Sequence, residues 1–521
     1  MKNYILAVDQ GTTATTVLLI NRSLQVVARE STEILPSYPK YSWVDHDLNA
    51  IWRGTLATID RLVGAHGVDP STIAAIGITN QRETVGAWSR ATGEPLAPAI
   101  VWQCRRTSDR CLQLRKDPAF ARKFRATTGL VLDPYFSFTK VEWLLKNVPG
   151  LKERARAGDA VFGTIDSWLL FKLTGGAAHA TDPSNASRWG LMDLRSLRWD
   201  ASLLKKFSIP AGCLPEIRSS SEHYGATRGI DALPDGIPVA GILGDQQAAL
   251  FGQLCTKPGM GKCTYGTGAF MLVNAGAKPP ISKNGLLSTV AWRVGKNTEY
   301  ALEGSAFVAG AAVQWVRDNL GIISKSSDIE ALASAASDAA MGDLVFVPAL
   351  AGLGAPHWDP GARGMLHGIT RGTTREHIAR AVLEGIALQI HDLAEAMRKD
   401  LRGVRLKSIK VDGGASANDF LMQTQSDVCR LPLIRPKVLD TTALGSAMMA
   451  GLAVGFWRSV DDLAGAWASD RIFEPSGDKL GSSVARSQLV ICRNRDSGDR
   501  FGLLKSRAKR LVRVASLEYT R

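Results

Sequence analysis

A few short stretches of the chain hold residue types that can do chemistry together. An apolar run ends in Gly77-Ile-Thr-Asn-Gln-Arg82-Glu83-Thr84, and Ala99-Ile-Val-Trp102-Gln-Cys-Arg-Arg106 follows it. Glu83 can accept hydrogen bonds from hydroxyls, Arg82 can donate in a fork, and Trp102 can cover an apolar CH face. That set suits a small polyhydroxylated molecule. The competing reading is an ion pair on a surface turn, which contributes little.

Two further stretches suit phosphate. In Asp9-Gln10-Gly11-Thr12-Thr13 the glycine lets a phosphate approach the backbone, the Thr amides point into the turn, and their hydroxyls add donors. Asp9, at the strand end, can hold a hydrated Mg²⁺. The pattern returns at Gly266-Thr267-Gly268, as a triphosphate gripped from both sides would need. The competing reading is a solvated hairpin with Thr chosen for strand propensity.

In Gly241-Ile-Leu-Gly244-Asp245-Gln246-Gln247 an apolar strand ends in an acid and two amides. Asp245 is placed to take the proton of an attacking hydroxyl, and Gln246 to orient the same molecule. The bland alternative makes Asp245 the cap of a helix that starts at Gln247. Asp412-Gly413-Gly414 lets an adenine or a phosphate lie on the backbone, or is a plain strand-to-helix turn.

The elements that must carry these residues are partly legible. Residues 4–8, 16–20 and 24–30 read as three strands, with a Gly/Thr turn after the first and Asn21-Arg22-Ser23 after the second. Strand, turn, strand excludes a Walker loop or a dinucleotide fingerprint, both of which open a helix. A second hairpin surrounds 266–268, so the chain reads as a duplicated fold with a boundary near 251–259. Ile378, Val382, Leu383, Ile386, Ile390 and Leu393 recur at helical spacing over 375–399, behind Thr374 as a cap. Residues 408–411 read as a strand and 420–428 as a helix. The uncharged, Gly/Ala-rich run 441–457 reads as a buried helix, not a membrane span.

A chain of 521 residues exceeds one core, and 45% hydrophobic with 21% charged residues is ordinary globular material. Seven scattered cysteines without Cys-x-x-Cys exclude a disulfide framework and a zinc ribbon, and the eight histidines lack ligand spacing. The start is too short and too soon acidic for a signal peptide, so a cytoplasmic protein is expected. The net charge of +14 invites a nucleic-acid partner. Half of that excess, eleven Lys/Arg against four acids, falls in 476–521. The basicity belongs to a tail, and no nucleic-acid face is expected.

Taken together these residues resemble the FGGY carbohydrate kinases, and among them the members that phosphorylate glycerol. The likeness covers roughly nine-tenths of the chain. It includes Trp43-Val44-Asp45-His46-Asp47, the stretch 77–106, Gly129-Leu-Val-Leu-Asp-Pro-Tyr135 and Thr181-Asp-Pro-Ser-Asn-Ala-Ser187. It continues through Gly244-Asp-Gln-Gln247, Tyr265-Gly-Thr-Gly268, Leu353-Gly-Ala-Pro-His-Trp-Asp-Pro360 and Val411-Asp-Gly-Gly414, with both family signatures fitting, over 135–147 and 364–384. The resemblance implies an α/β fold of two actin-like, ribonuclease-H-type domains flanking an ATP cleft. Residues 1–251 would carry the polyol pocket, 252–475 the nucleotide, and 476–521 a basic tail.

Carried over residue by residue, the resemblance assigns glycerol to Arg82, Glu83, Tyr135, Asp245 and Gln246, with Trp102 and Phe270 along its carbon edge. Asp245 would be the general base, with Asp9 and Asp245 at a Mg²⁺ site. Thr12, Thr13, Ala14, Thr267, Gly310, Gln314, Gly414 and Asn418 would hold ATP. Expected partners are glycerol and ATP, with assembly as a homodimer or homotetramer. The chain departs from the family at Thr16, where a phosphate-binding arginine is usual. It departs again at Asp231-Ala-Leu-Pro-Asp235-Gly236-Ile237, whose acids argue against a bisphosphate effector site. The alternatives are kinase action on another sugar and a non-catalytic actin-like nucleotide binder.

Overall fold

The computed structural model describes residues 2–476 except 338, 339, 360 and 402. All but the first residue of the basic tail lies outside the described residues.

A thirteen-stranded sheet forms the frame. Its strands are β1 (Tyr4–Gln10), β2 (Ala14–Asn21), β3 (Val26–Glu33), β4 (Ile73–Asn80), β5 (Ser221–Ala226), β6 (Pro238–Gly244), β7 (Met260–Tyr265), β8 (Ala269–Gly276), β9 (Leu287–Val294), β10 (Asn297–Ala306), β11 (Ser408–Asp412), β12 (Leu433–Pro436) and β13 (Ser469–Phe473). The spatial order is β13-β12-β11-β7-β8-β10-β9-β5-β6-β4-β1-β2-β3.

One plan occurs twice. β1 pairs antiparallel with β2 and parallel with β4, which pairs parallel with β6. In the second half β7 pairs antiparallel with β8 and parallel with β11, which pairs parallel with β12. The halves meet in the sheet at the pairing of Ser221 in β5 with Val294 in β9. The parallel strands are covered on both faces, so β4 is buried along nearly its whole length and reads as a continuous apolar run.

The helices that matter for the site are α1 (Leu48–Ala65), α2 (Asp245–Gly252), α3 (Gly310–Asp318), α4 (Arg375–Asp400), α5 (Asp419–Cys429) and α6 (Thr441–Ala453). α6 is the buried Gly/Ala-rich helix expected from the sequence. Its small residues let backbones touch: a Cβ on Gly445 would come within 1.9 Å of the Ala248 carbonyl oxygen, and one on Gly252 within 2.0 Å of that of Thr441. The same helix lies against β4 and β6, where a Cβ on Gly77 or Gly241 would strike the Ser446 carbonyl or the Ala450 amide. α6 thus seats α2 and two parallel strands on one surface. Among the described residues no helix is long and apolar enough to cross a membrane.

Candidate functional site

Register brings the first group of residues together. Gln10 pairs with Asn80 and Asn80 with Gly244, so β1, β4 and β6 end side by side. The residues that follow, Gly11, Arg82 and Asp245, therefore emerge at one edge, where open parallel sheets bind ligands. Asp182 reinforces the alignment. It accepts from the Ser184 and Asn185 amides, both their side chains, and Ser220 Oγ. Ser184 Oγ in turn accepts from the Gly244 amide at 2.9 Å, and Asn185 Oδ1 from Asn80 Nδ2 at 3.1 Å.

Asp245 is the first residue of α2, and Gly244 takes the cap position without a side-chain bond. The helix does not start at Gln247, and the capping alternative for Asp245 falls. A Cβ on residue 244 would sit 2.8 Å from Arg82 Cγ and Cδ, so glycine there admits the arginine. Asp245 Oδ1 lies 3.0 Å from Arg82 Nε and accepts from the Gln246 amide at 2.7 Å. Oδ2 accepts from Gln246 Nε2 at 3.2 Å. The side chain keeps 29% of its surface open.

Arg82 and Glu83 are buried, and they do not pair with each other. This corrects the surface-pair reading. Arg82 Nη1 donates to Glu303 Oε2 at 2.6 Å and to Gln247 Oε1 at 3.2 Å, and Nη2 donates to Glu303 Oε1 at 3.0 Å. Nε forms an ion pair with Asp245, and three of the five guanidinium N–H groups donate hydrogen bonds to Glu303 and Gln247. The expected fork is spent on Glu303. Glu83 turns the other way, accepting from Arg188 Nε at 2.5 Å. Its backbone is left-handed, with φ of 62°, an uncommon conformation for a residue with a Cβ. Ser137 Oγ and Lys140 Nζ both donate to the Glu83 carbonyl, which holds that turn. Lys140 also donates to the Tyr135 carbonyl at 2.8 Å, and burial pulls its pKa down to about 7.

The four charges Arg82, Glu83, Arg188 and Glu303 form one buried network, with Arg188 Nη2 3.2 Å from Glu303 Oε1. Burial raises the carboxyl pKa of Glu303, but Arg188 and Arg82 outweigh it and hold the group below its ordinary value. At Glu83 burial prevails over the same two arginines and the pKa rises. Arg188 and Glu303 are absent from the sequence expectations. Glu303 had only a weak signal, as one of two acids, with Glu299, in strand β10. Arg188 had none beyond its place after Thr181–Ser187.

The aromatic residues do come together. Trp102 packs edge-on against Tyr135 and Phe270, with ring centroids 5.7 and 6.4 Å apart. The Arg188 guanidinium lies over the Tyr135 ring at 5.3 Å. Trp102 Nε1 donates to Thr12 Oγ1 at 2.8 Å, which ties this aromatic wall to the first Gly/Thr turn.

That turn is closed by the Gly11 amide donating to the Ala14 carbonyl at 2.9 Å, and Gln81 Nε2 holds the Gly11 carbonyl at 2.9 Å. The second turn is fastened to α3: the Gly310 amide donates to the Gly266 carbonyl and the Ala309 and Ala311 amides to that of Thr267. Gly413, with φ of 84°, lies against the end of β7, where a Cβ would sit 2.6 Å from the Tyr265 carbonyl. Thr267, Gly310 and Gly414 thus belong to one neighbourhood. Asn418 caps α5 by accepting from the Leu421 amide, and Gln314 is exposed on α3.

Asp9 lies in β1. Burial first, then the nearby acids Asp245 and Asp440, push its pKa up to about 7, against the pull of Arg29. Two acids that disfavour each other's charge fit a divalent cation between them. Among the described residues no group of three or more His, Cys, Asp or Glu side chains gathers to ligate a metal. A Mg²⁺ held there would complete its shell with water and phosphate oxygens, its usual habit.

The model of the FGGY family of carbohydrate kinases matches this chain twice, its N-terminal domain over residues 4–252 and its C-terminal domain over 261–454. The chain belongs to the FGGY family of carbohydrate kinases. This FGGY kinase is 57% identical over 474 residues to a glycerol kinase of Myxococcus xanthus, spanning 91% of this chain and 95% of that protein. It is 51% identical over 490 residues to a glycerol kinase of Chromobacterium violaceum, spanning 94% and 97%. Its fold matches the crystal structure of Plasmodium falciparum glycerol kinase with ADP at a TM-score of 0.88 and 34% identity, covering 94% of this chain and 98% of that one. A gluconate kinase from Lactobacillus acidophilus matches at a TM-score of 0.85 and 23% identity, a likeness of fold alone.

Proposed function

We propose that this FGGY kinase transfers the γ-phosphoryl group of ATP to glycerol, with Asp245 as the general base. The observation that carries this reading is the state of the Asp245 carboxylate. Oδ1 accepts from the Gln246 amide and pairs with Arg82, Oδ2 accepts one long bond from Gln246 Nε2, and 29% of the side chain stays open. In this reading the glycerol carbons lie along the aromatic wall. Glu83 and Arg82 select the hydroxyl pattern, and Asp245 takes the proton of the attacking hydroxyl.

The triphosphate runs between the turns at Gly11–Ala14 and Gly266–Gly268, with Gly310, Gln314, Gly414 and Asn418 toward the nucleoside. Backbone amides in those turns neutralise charge on the transferring group, which is where most of the catalysis of phosphoryl transfer lies. Asp9 and Asp245 would hold Mg²⁺, which when bound would neutralise charge on the phosphate oxygens. The product is sn-glycerol 3-phosphate. The reaction belongs to a cytoplasmic protein acting as a homo-oligomer.

The test is a substrate panel: ATP with glycerol, xylulose, ribulose and gluconate, the products followed by ³¹P NMR. Glycerol should give the highest kcat/KM by a wide margin. A sugar phosphorylated in preference to glycerol would overturn the reading.

A further inference from the structure

Lys262 is a fully buried ammonium in the nucleotide half of the chain, and none of the roles above uses it. It lies on β7, which runs on into the turn Gly266–Gly268. Its Nζ donates to Thr264 Oγ1 at 2.7 Å and to Gln246 Oε1. A carboxamide has one accepting and one donating end. With Oε1 against an ammonium, Nε2 must face the other way, and it meets Asp245 Oδ2 at 3.2 Å. The reverse orientation would set an NH₂ against NH₃⁺ and a carbonyl against a carboxylate. Lys262 therefore decides which way Gln246 points. It also removes the Gln246 carbonyl from the acceptors available to a glycerol hydroxyl.

The consequence falls on the base. Arg82 Nε and the Gln246 amide hold Oδ1, and Gln246 Nε2 holds one side of Oδ2. The carboxylate cannot rotate without breaking one of these contacts, and 29% of the side chain stays open. We propose that Lys262 is a positioning residue for the phosphoryl transfer, acting through Gln246 to fix Asp245 so that Oδ2 receives the acceptor proton. The inference rests on Asp245 being the base. It also gives the strand that bears the second phosphate turn a direct mechanical link to the base in the other half. Burial lowers the Lys262 pKa, and Asp412 and Asp245 work to keep it charged.

The test is a double-mutant cycle on the full-length enzyme with Lys262→Met, Gln246→Met and the pair. Lys262→Met should lower kcat by about 10–100-fold, the usual effect of a loosened catalytic geometry, while the KM values for glycerol and ATP stay within about threefold. Gln246→Met should lower kcat comparably, and the double variant should be no slower than the slower single one, because both break one chain of contacts. Multiplying effects, or a raised KM for ATP with kcat intact, would overturn the proposal in favour of direct phosphate contact. If Lys262→Met does not fold, Gln246→Met alone decides, since wild-type kcat there removes the link. The base reading is checked apart from this cycle, by Asp245→Asn: wild-type turnover in that variant would sink the base, whereas loss of turnover with multiplying effects in the cycle would sink only the link.

Discussion

Removing the charge of Glu303 would leave Arg82 and Arg188 facing each other, buried away from solvent. Both guanidiniums lie against this one carboxylate, and all three side chains are at most 2% exposed. Breaking a buried pair from one side costs far more than the pair contributes, because the abandoned charge stays desolvated. Glu303→Gln should therefore destabilise the protein by about 3 kcal/mol, read as a lower midpoint of urea unfolding. It should also raise the KM for glycerol, since Arg82 loses its anchor. An unchanged midpoint would contradict the network. Arg82, Glu83 and Asp245 were recognisable in the sequence because each ends an apolar run in a charge. What they pair with was not. Arg82 and Glu83 are neighbours in the chain yet face apart, because the left-handed turn at Glu83 sends one carboxylate to Arg188 and leaves the guanidinium to Glu303. No local pattern encodes a partner 221 residues away.

Helix α2 holds Asp245 in place only as firmly as α6 holds α2. The two cross with backbone nearly in contact at Gly445 and Gly252. Gly445→Ala would thrust a methyl group into the Ala248 carbonyl, and overpacking of this kind costs about 1–3 kcal/mol. The midpoint of thermal unfolding should fall, and kcat should fall with it as α2 shifts. Gly64→Ala near the end of α1 is the control, since nothing lies within 4 Å of its Cβ. It should be neutral or stabilising. A tolerated Gly445→Ala would show that α6 can move away freely. Most elements at this scale were legible: the hairpins from their alternation and turns, α4 from its period, α6 from its uncharged run. The strand order was not. The alignment of β1, β4 and β6 depends on crossovers more than fifty residues long, and on buried polar hubs such as Asp182 that read in sequence as an ordinary turn.

Across the whole molecule the two halves bring acids together, Asp9 and Asp245 from the first and Asp440 from the second. Asp9 records the strain, with its pKa raised from 3.8 to about 7. An acid whose pKa is higher in the folded state takes up protons on folding. Its contribution to stability is full below about 4 and is lost as pH rises to about 7. Asp9→Asn escapes that loss, so without divalent cations the variant should gain on the wild type between pH 4 and 7 and stay ahead above it. Added Mg²⁺ should raise the unfolding temperature of the wild type above pH 7 and leave Asp9→Asn nearly unchanged. Parallel pH curves with and without Mg²⁺ would contradict this placement of the cation. The two-half architecture itself was visible as a repeated Gly/Thr hairpin, whereas the charge coupling between Asp9, Asp245 and Asp440 needed the folded sheet.

In the proposed reaction one carboxylate, reached from both halves, takes the proton of glycerol. Asp245→Asn keeps the shape of that side chain and removes its basicity. Glycerol binding should be measured by calorimetry and the chemical step by single-turnover quench with ATP. The dissociation constant for glycerol should stay close to that of the wild type, and the turnover rate should fall by about 10²–10⁴-fold. A variant that binds glycerol and still turns over at the wild-type rate would contradict it.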